Sequence, residues 1–342
     1  MRWNLKSLKF SFIIFLAVFL FFIQSAFATT HDYIIDTDVG IDDVIAILYL
    51  LNHPDVNVKA ITIDGDGNAH CKPAAENIAG LLQLMHQTNI PLACGRATPL
   101  AGHHTFPDDV LKMCDTLSGV ALDKPKDFSL PKQSAKDLMT QTLQNAKQPM
   151  IILAIGPLTT IAEVLEAHPT LKDKIEKIVI MGGAVKVKGN IRDVILNTHN
   201  LYAEWNIYID PLAAKKVFHA KVPIVLVPLD VTNTVLIDHD FYQRIQKNHS
   251  TPASTFVYQL LDSNKKMLLD KIWYFWDPMA AVISVDPSIA TIETLPLTVQ
   301  LAPEPHSGAT IIDKKQGDPI KVSVGIKSDL FKKVLLDGLN RS

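Results

Sequence analysis

Residues 34–51 read Ile34-Ile35-Asp36-Thr37-Asp38-Val39-Gly40-Ile41-Asp42-Asp43-Val44-Ile45-Ala46-Ile47-Leu48-Tyr49-Leu50-Leu51. A β-branched start, an acidic turn, and then Ile45, Leu48 and Leu51 at helical spacing predict strand, tight turn and helix. Gly40 is the residue expected to take the positive φ of that turn. Asp36, Asp38, Asp42 and Asp43 would crowd four carboxylates there. Acids at a helix start favour the macrodipole and cap free amides, which accounts for two of them. Four repel one another unless a cation or strong hydrogen-bond donors neutralise them. All-oxygen ligands select a hard divalent ion, Ca²⁺ or Mg²⁺, rather than zinc.

Outward from this stretch the pattern repeats. Val56 to Ile63 alternates as a second strand and runs into Asp64-Gly65-Asp66-Gly67-Asn68; a helix comes next around Pro73 to His86, then a short strand at Ile90 to Gly95. Strands alternating with helices predict an α/β fold, a single domain over residues 29–342 with a mainly parallel sheet flanked by helices and a Rossmann-like core. Ligands of such sheets gather at the carboxyl ends of the strands, so both acidic loops should face one crevice. Arg96 to Pro131 lacks periodicity and reads as a lid, with His103 and His104 on solvated loop. Further along, the expected elements are a helix at Ser134 to Ala146, a strand at Met150 to Ile155, a helix with Pro157 in its first position, and strands at Ile175 to Met181 and Val222 to Val227. Asp238 to Lys271 reads as mainly helical. Stretches near Leu295 to Leu301, Ala309 to Asp313 and Ile320 to Val324 read as edge strands before a last helix at Asp329 to Leu339.

The first 28 residues stand apart. Arg2, Lys6 and Lys9 precede an apolar run from Phe10 to Ile23, and Ala26-Phe27-Ala28 supplies a small-residue cleavage site. This is the pattern of a secretory signal peptide, which predicts an exported protein, periplasmic or secreted, with no stable membrane anchor after cleavage. The apolar run is short for a membrane span. A net charge of -2 over 342 residues offers no field for nucleic acid, so a small, weakly charged ligand is expected. Cys71, Cys94 and Cys114 lack C-x-x-C spacing and read as buried thiols, with one disulfide and a spare thiol as the alternative in an oxidising compartment.

Asp36, Asp38, Gly40, Asp42 and Asp43, spaced D-x-D-x-G-x-D-D after a first strand, resemble the inosine-uridine preferring nucleoside hydrolase family. Further anchors stand in the family's order: Gly67-Asn68, Ile155-Gly156-Pro157-Leu158-Thr159, Met181-Gly182-Gly183-Ala184, Ala203-Glu204-Trp205-Asn206-Ile207-Tyr208 with Asp210-Pro211, and Trp276-Asp277-Pro278. The resemblance implies hydrolysis of the N-glycosidic bond of ribonucleosides to ribose and free base, with Ca²⁺ as cofactor and a homo-oligomeric enzyme. It implies Asp38, Asp43, Asp277 and the Ile155 carbonyl as metal ligands. Asp42, Glu204, Asn206 and Asp277 would hold the ribose, with Asn68 supporting the ligands. Of Asn190, Asn197 and Asn200 on the long loop, Asn190 is the expected sugar contact. Asp38 would deprotonate the water that attacks the anomeric carbon of an oxocarbenium-like transition state.

Many uridine-accepting members carry His before the last metal-binding Asp, where this chain has Trp276. The pattern resembles the purine-preferring branch, in which an aromatic ring stacks on the base; Phe106 is the expected opposing ring. Alternatively Trp276 is core, as aromatic clusters usually are. Two other functions share parts of the pattern. An exported Ca²⁺-dependent nucleoside-binding protein without turnover fits the spacing but not the retention of Asp38. A haloacid dehalogenase-type phosphatase also begins with a strand ending in D-x-D, yet needs a later Ser/Thr, Lys and acidic pair in an order absent here.

Overall fold

The computed structural model describes residues 30–341; the expected signal peptide lies outside the described residues. Strand β1 (His31–Thr37) pairs in parallel with β2 (Val56–Ile63) and with β4 (Met150–Ala154). The nine-stranded sheet has the order β3-β2-β1-β4-β5-β6-β9-β7-β8, with β3 (Leu92–Cys94), β5 (Ile175–Met181), β6 (Ile224–Val227), β7 (Ala290–Val299), β8 (Thr310–Ile312) and β9 (Asp318–Ile326). All pairs are parallel from β3 to β9; β7 is antiparallel to both β9 and β8. Two stretches expected as edge strands are therefore internal: Ile320 to Val324, covered by β6 and β7, and the strand near Leu295 to Leu301, covered by β9 and β8. Their alternation of polar residues with apolar ones suggests one solvated side, but partner strands, which the local pattern does not encode, decide whether an edge is free.

Because strand side chains alternate, Ile34 and Ile35 enter different cores on opposite faces of the sheet. One core holds α1 (Ile41–Leu51), α2 (Cys71–Leu84), α13 (Trp276–Val285) and α14 (Ser328–Leu339). The other holds α4 (Ala135–Gln144), α5 (Thr159–Ala167) and α8 (Pro211–Phe218). Helix α1 is buried nearly all round, which explains why its sequence is apolar on every face rather than along one stripe. Helix α5 starts at Thr159, so Pro157 lies before the helix rather than in its first turn. The segment 96–131, expected to lack regular elements, contains the short helix α3 (Asp108–Asp115). The polar segment after β6 forms α9 (Leu229–Thr232), α10 (His239–Lys247), α11 (Pro252–Ser263) and α12 (Lys265–Leu269).

The turn from β1 to α1 also differs from its expected form. Val39, not Gly40, has the left-handed conformation, φ 59°. A β-branched residue there is strained by roughly 1–3 kcal/mol. The turn is held by the Val39 amide donating to the Thr37 hydroxyl at 3.1 Å. Gly40 has an ordinary φ of -64°. It is glycine because a Cβ would stand 2.7 Å from Asp43 Oδ2, the oxygen that its own amide reaches at 2.9 Å.

Candidate metal and ribose site

The register aligns the carboxyl ends of three central strands: Asp36 stands beside Thr62 of β2 and Ala154 of β4. The segments leaving these strands therefore converge, bringing together Asp38, the Asp64–Asn68 loop and Ile155. Ile155 is buried and its amide donates to the Asp36 carbonyl at 2.8 Å. Asp42 and Asp43 occupy the first turn of α1, and Asp277 that of α13, which packs alongside. Asp42, Asp43 and Asp277 each place a carboxylate oxygen so that the three lie within 4.8 Å of one another.

Asp38 is fully buried beside this trio. Its Oδ2 accepts the backbone and side-chain N–H of Asn68 at 2.9 and 3.0 Å, while Oδ1 has no hydrogen-bond partner among the described residues. Gly67 permits this approach, since a Cβ would come within 2.0 Å of the Asp38 Cβ. Asp277 Oδ1 is likewise buried and unpartnered among the described residues. Asp43 receives the Thr37 hydroxyl and the Gly40 amide. Burial, then repulsion among the acids, pushes Asp38 and Asp277 well above the usual carboxylate range; the same causes push Asp43 up to about 7. Asp42 is raised as well, chiefly by burial. Such a set is poorly accommodated without positive charge, and its hard oxygen donors with two unpartnered atoms fit a divalent cation. The converging trio includes Asp42, which the family resemblance placed on the ribose, while Asp38 stands beside it rather than within it.

A second buried network lies behind. Asp36 accepts the Thr62 hydroxyl, Asp64 that of Thr160 at 2.7 Å, and Asp66 that of Thr159 at 2.8 Å. Thr159 is also 2.9 Å from Asp210, which caps α8 through the Ala213 amide and holds the Leu100 amide. Residue order alone does not single out these threonines as acid partners; their one signal is an adjacent Thr-Thr after a strand-end Gly-Pro.

The other wall comes from the chain after β5. Glu204 caps α7 (Trp205–Ile209), accepting the Asn206 and Ile207 amides at 2.9 and 3.2 Å and the Gly183 amide at 2.9 Å. Burial raises its carboxyl from the ordinary value, and these donors oppose the shift. Asn206 gives its side-chain N–H to the Met181 carbonyl at 3.1 Å. Asn190, just before α6 (Ile191–Val194), accepts the Trp205 amide at 3.2 Å and so adjoins the Glu204 corner. Asn197 is exposed. Asn200 is buried, accepting the Tyr202 and Ala203 amides at 3.1 Å and donating to the Ser307 carbonyl at 2.7 Å.

Trp276 packs partly against the core, and its indole N–H donates to Asn233 at 2.9 Å. Phe106 is not free to oppose it: that ring is buried and stacks on Trp205 with centroids 4.6 Å apart. Local apolar context could not show which aromatic partner would capture it. His104 bridges the Tyr208 carbonyl and Glu304, whereas His103 is exposed beside a cavity of about 260 Å³ along the 65–70 loop. The cysteines also differ from the expected buried thiols: Cys71 and Cys94 form a disulfide, and Cys114 is the buried free thiol.

Residues 33–333 match the profile described as inosine-uridine preferring nucleoside hydrolase. A pyrimidine-specific ribonucleoside hydrolase, RihA of Escherichia coli O1:K1 / APEC, is 34% identical over 285 residues, covering 82% of this chain and 88% of the relative. A plant nucleoside hydrolase structure, the PpNRh1 enzyme, superposes with a TM-score of 0.79 at 28% identity, over 91% of this chain and 99% of its own. The fold is shared with a purine-preferring ribonucleoside hydrolase from Gardnerella vaginalis, TM-score 0.77 at 23% identity over 90% of this chain and 98% of the other. The chain belongs to the inosine-uridine preferring nucleoside hydrolases, enzymes that hydrolyse the N-ribosyl bond of nucleosides.

Proposed function

We propose that the protein is an exported, calcium-dependent nucleoside hydrolase that prefers purine nucleosides, with Asp38 as general base. The observation that carries the reading is the convergence of Asp42, Asp43 and Asp277 beside an Asp38 with one oxygen unpartnered. Asp43, Asp277, Asp38 and the Ile155 carbonyl would hold the ion, with Asp42 in reach of both ion and sugar. Bound there, calcium would supply the positive charge that keeps these acids ionised, orients the ribose hydroxyls and lowers the pKa of water.

The residues divide the rest of the work. Asn68 occupies Asp38 Oδ2 with two donors, which leaves Oδ1 as the atom that takes the proton of the attacking water. Glu204, Asn206 and Asn190 form one corner and would grip the ribose, Glu204 also stabilising charge that develops on the sugar ring. Trp276, steadied by Asn233, would stack on the leaving purine and favour its protonation, since stacking on an aromatic ring contributes roughly 1–3 kcal/mol per base. The signal-peptide pattern and the Cys71–Cys94 disulfide both support export to an oxidising compartment.

A pyrimidine preference is the second reading, favoured by the 34% identical pyrimidine-specific relative. The deciding experiment measures base release from inosine, adenosine, guanosine, uridine and cytidine by the mature protein, with and without a calcium chelator. Chelator-sensitive purine release with little uridine turnover is expected. Uridine cleaved as fast as inosine would overturn the purine assignment, and turnover indifferent to chelation would overturn the metal site.

A further inference from the structure

Among all these contacts, the one between Asn68 and Asp38 is made by a loop with Asp64 and Asp66 anchored ahead of it and a disulfide directly behind it. Strand β3 is three residues long and stands at one end of the sheet, paired with β2 through Leu92, Ala93 and Cys94, with Cys94 also bridged to Ser134. The loop from Asp64 to His70 is threaded between the end of that strand and Asp38. At one side Gly65 lies so close to the carbonyls of Gly95 and Arg96 that a Cβ would be 2.8 Å from both. At the other, Gly67 touches Asp38 and Asn68 gives its backbone N–H and one side-chain N–H to Asp38 Oδ2. Three residues beyond Asn68, Cys71 opens α2 and is joined to Cys94, with Cα atoms 5.9 Å apart across 23 positions of sequence. The loop's other tethers are the Asp64 and Asp66 carboxylates ahead of Asn68, which accept the Thr160 and Thr159 hydroxyls at 2.7 and 2.8 Å, and His70 behind it, whose amide and ring nitrogen each meet Asp115 at 2.8 Å on the exposed side.

We propose that the Cys71–Cys94 disulfide is a positioning clamp that holds Asn68 on Asp38, so that the hydrolase reaches full turnover only in its oxidised form. This rests on the assignment of Asp38 as the base. The clamp acts by geometry: it fixes the start of α2 to the outer strand, and the loop between has no freedom to withdraw the two donors. Without it, the Cys71 side of Asn68 is held by the exposed His70–Asp115 contact, so Asn68 can turn from Asp38 while Asp64 and Asp66 stay anchored, and Asp38, released from its two donors, gains a second orientation of Oδ1. Opening the clamp requires an external dithiol such as dithiothreitol. Its thiolate attacks one sulfur, its second thiol closes the ring, and two electrons and two protons pass to Cys71 and Cys94.

The test is a double-mutant cycle on the mature, calcium-saturated protein, with inosine and uridine as substrates. Cys71→Ser/Cys94→Ser is expected to lower kcat roughly 3- to 30-fold, within the span of directly coupled groups, with KM changed less than about twofold. In an Asn68→Ala background the same pair of changes is expected to cost nothing further in kcat. Equal losses in both backgrounds, or no loss in the first, overturn the clamp. An Asn68→Ala enzyme with unchanged kcat would instead overturn the role given to Asp38 and its partner, which keeps the two failures distinct. Should the serine variant not fold, the folded wild type is reduced with dithiothreitol. A reversible fall in kcat restored by reoxidation is expected, and full reduction without loss of kcat refutes the clamp.

Discussion

Replacing Asp43 by Asn should stabilise the metal-free enzyme above neutral pH and destabilise the calcium-loaded one. Asp43 is 1% exposed, and burial followed by the charge of Asp42 raises its carboxyl from the ordinary 3.8 to about 7. Below about pH 4 it is protonated in both folded and unfolded chains and contributes nothing. Between pH 4 and 7 the unfolded chain loses this proton first, so stability falls as pH rises; above 7 the cost is complete. At about 1.36 kcal/mol per tenfold change in proton affinity, that cost is about 4 kcal/mol. Asn removes it but weakens the bonds from Thr37 and Gly40, at about 1 kcal/mol each. The net gain at pH 8 in chelator is about 2 kcal/mol, roughly 4 °C in Tm. With calcium present the order should invert, because the variant lacks a ligand and wild type gains binding energy that the unfolded chain cannot. Thermal unfolding with chelator and with calcium, at pH 4.5 and 8, gives the four values needed. A variant less stable than wild type in chelator at pH 8 would refute the argument that the acids are held together at an electrostatic cost that a cation relieves.

Three further outcomes are expected. Asp38→Asn should lower kcat by roughly 10²- to 10⁴-fold, the usual contribution of a general base, while calorimetry shows nucleoside still bound. Trp276→Ala should reduce kcat/KM for inosine by about 5- to 150-fold, the loss of roughly 1–3 kcal/mol of stacking, with a smaller effect on uridine; equal losses for both bases would mean that the indole is core. Asn200→Ala leaves the Tyr202 and Ala203 amides and the Ser307 carbonyl unpaired, so it should lower unfolding free energy by about 1–3 kcal/mol in a denaturant titration, with the KM of the folded fraction unchanged.

The local part of this molecule was legible from residue order. Strands Val56–Ile63 and Ile175–Met181 fall where the β-branched alternation placed them, and the parallel α/β sheet came from strands alternating with helices. Asp38, Asp42 and Asp43 could be picked out because they crowd one short turn, and Asp277 because a buried acid among aromatic residues needs a partner. The side chains at the end of a strand and at a helix start are set by the backbone of the same few residues, so their position is a local property.

What the sequence could not show depends on partners far along the chain. Val39 rather than Gly40 bears the positive φ, and what holds residue 40 to glycine is the close packing of Asp43 from the next helical turn, not the turn conformation. Phe106 turned to Trp205 and Cys71 to Cys94, choices made by which surfaces the sheet order brings together. The internal place of β9 and the threonine-acid network behind Asp38 are of the same kind. Sequence thus determined the chemistry available, hard oxygen ligands at the carboxyl ends of parallel strands. Tertiary structure alone decided which of those oxygens meet and which remain unpartnered, because hydrogen-bond satisfaction is settled by neighbours in space and not by neighbours in the chain.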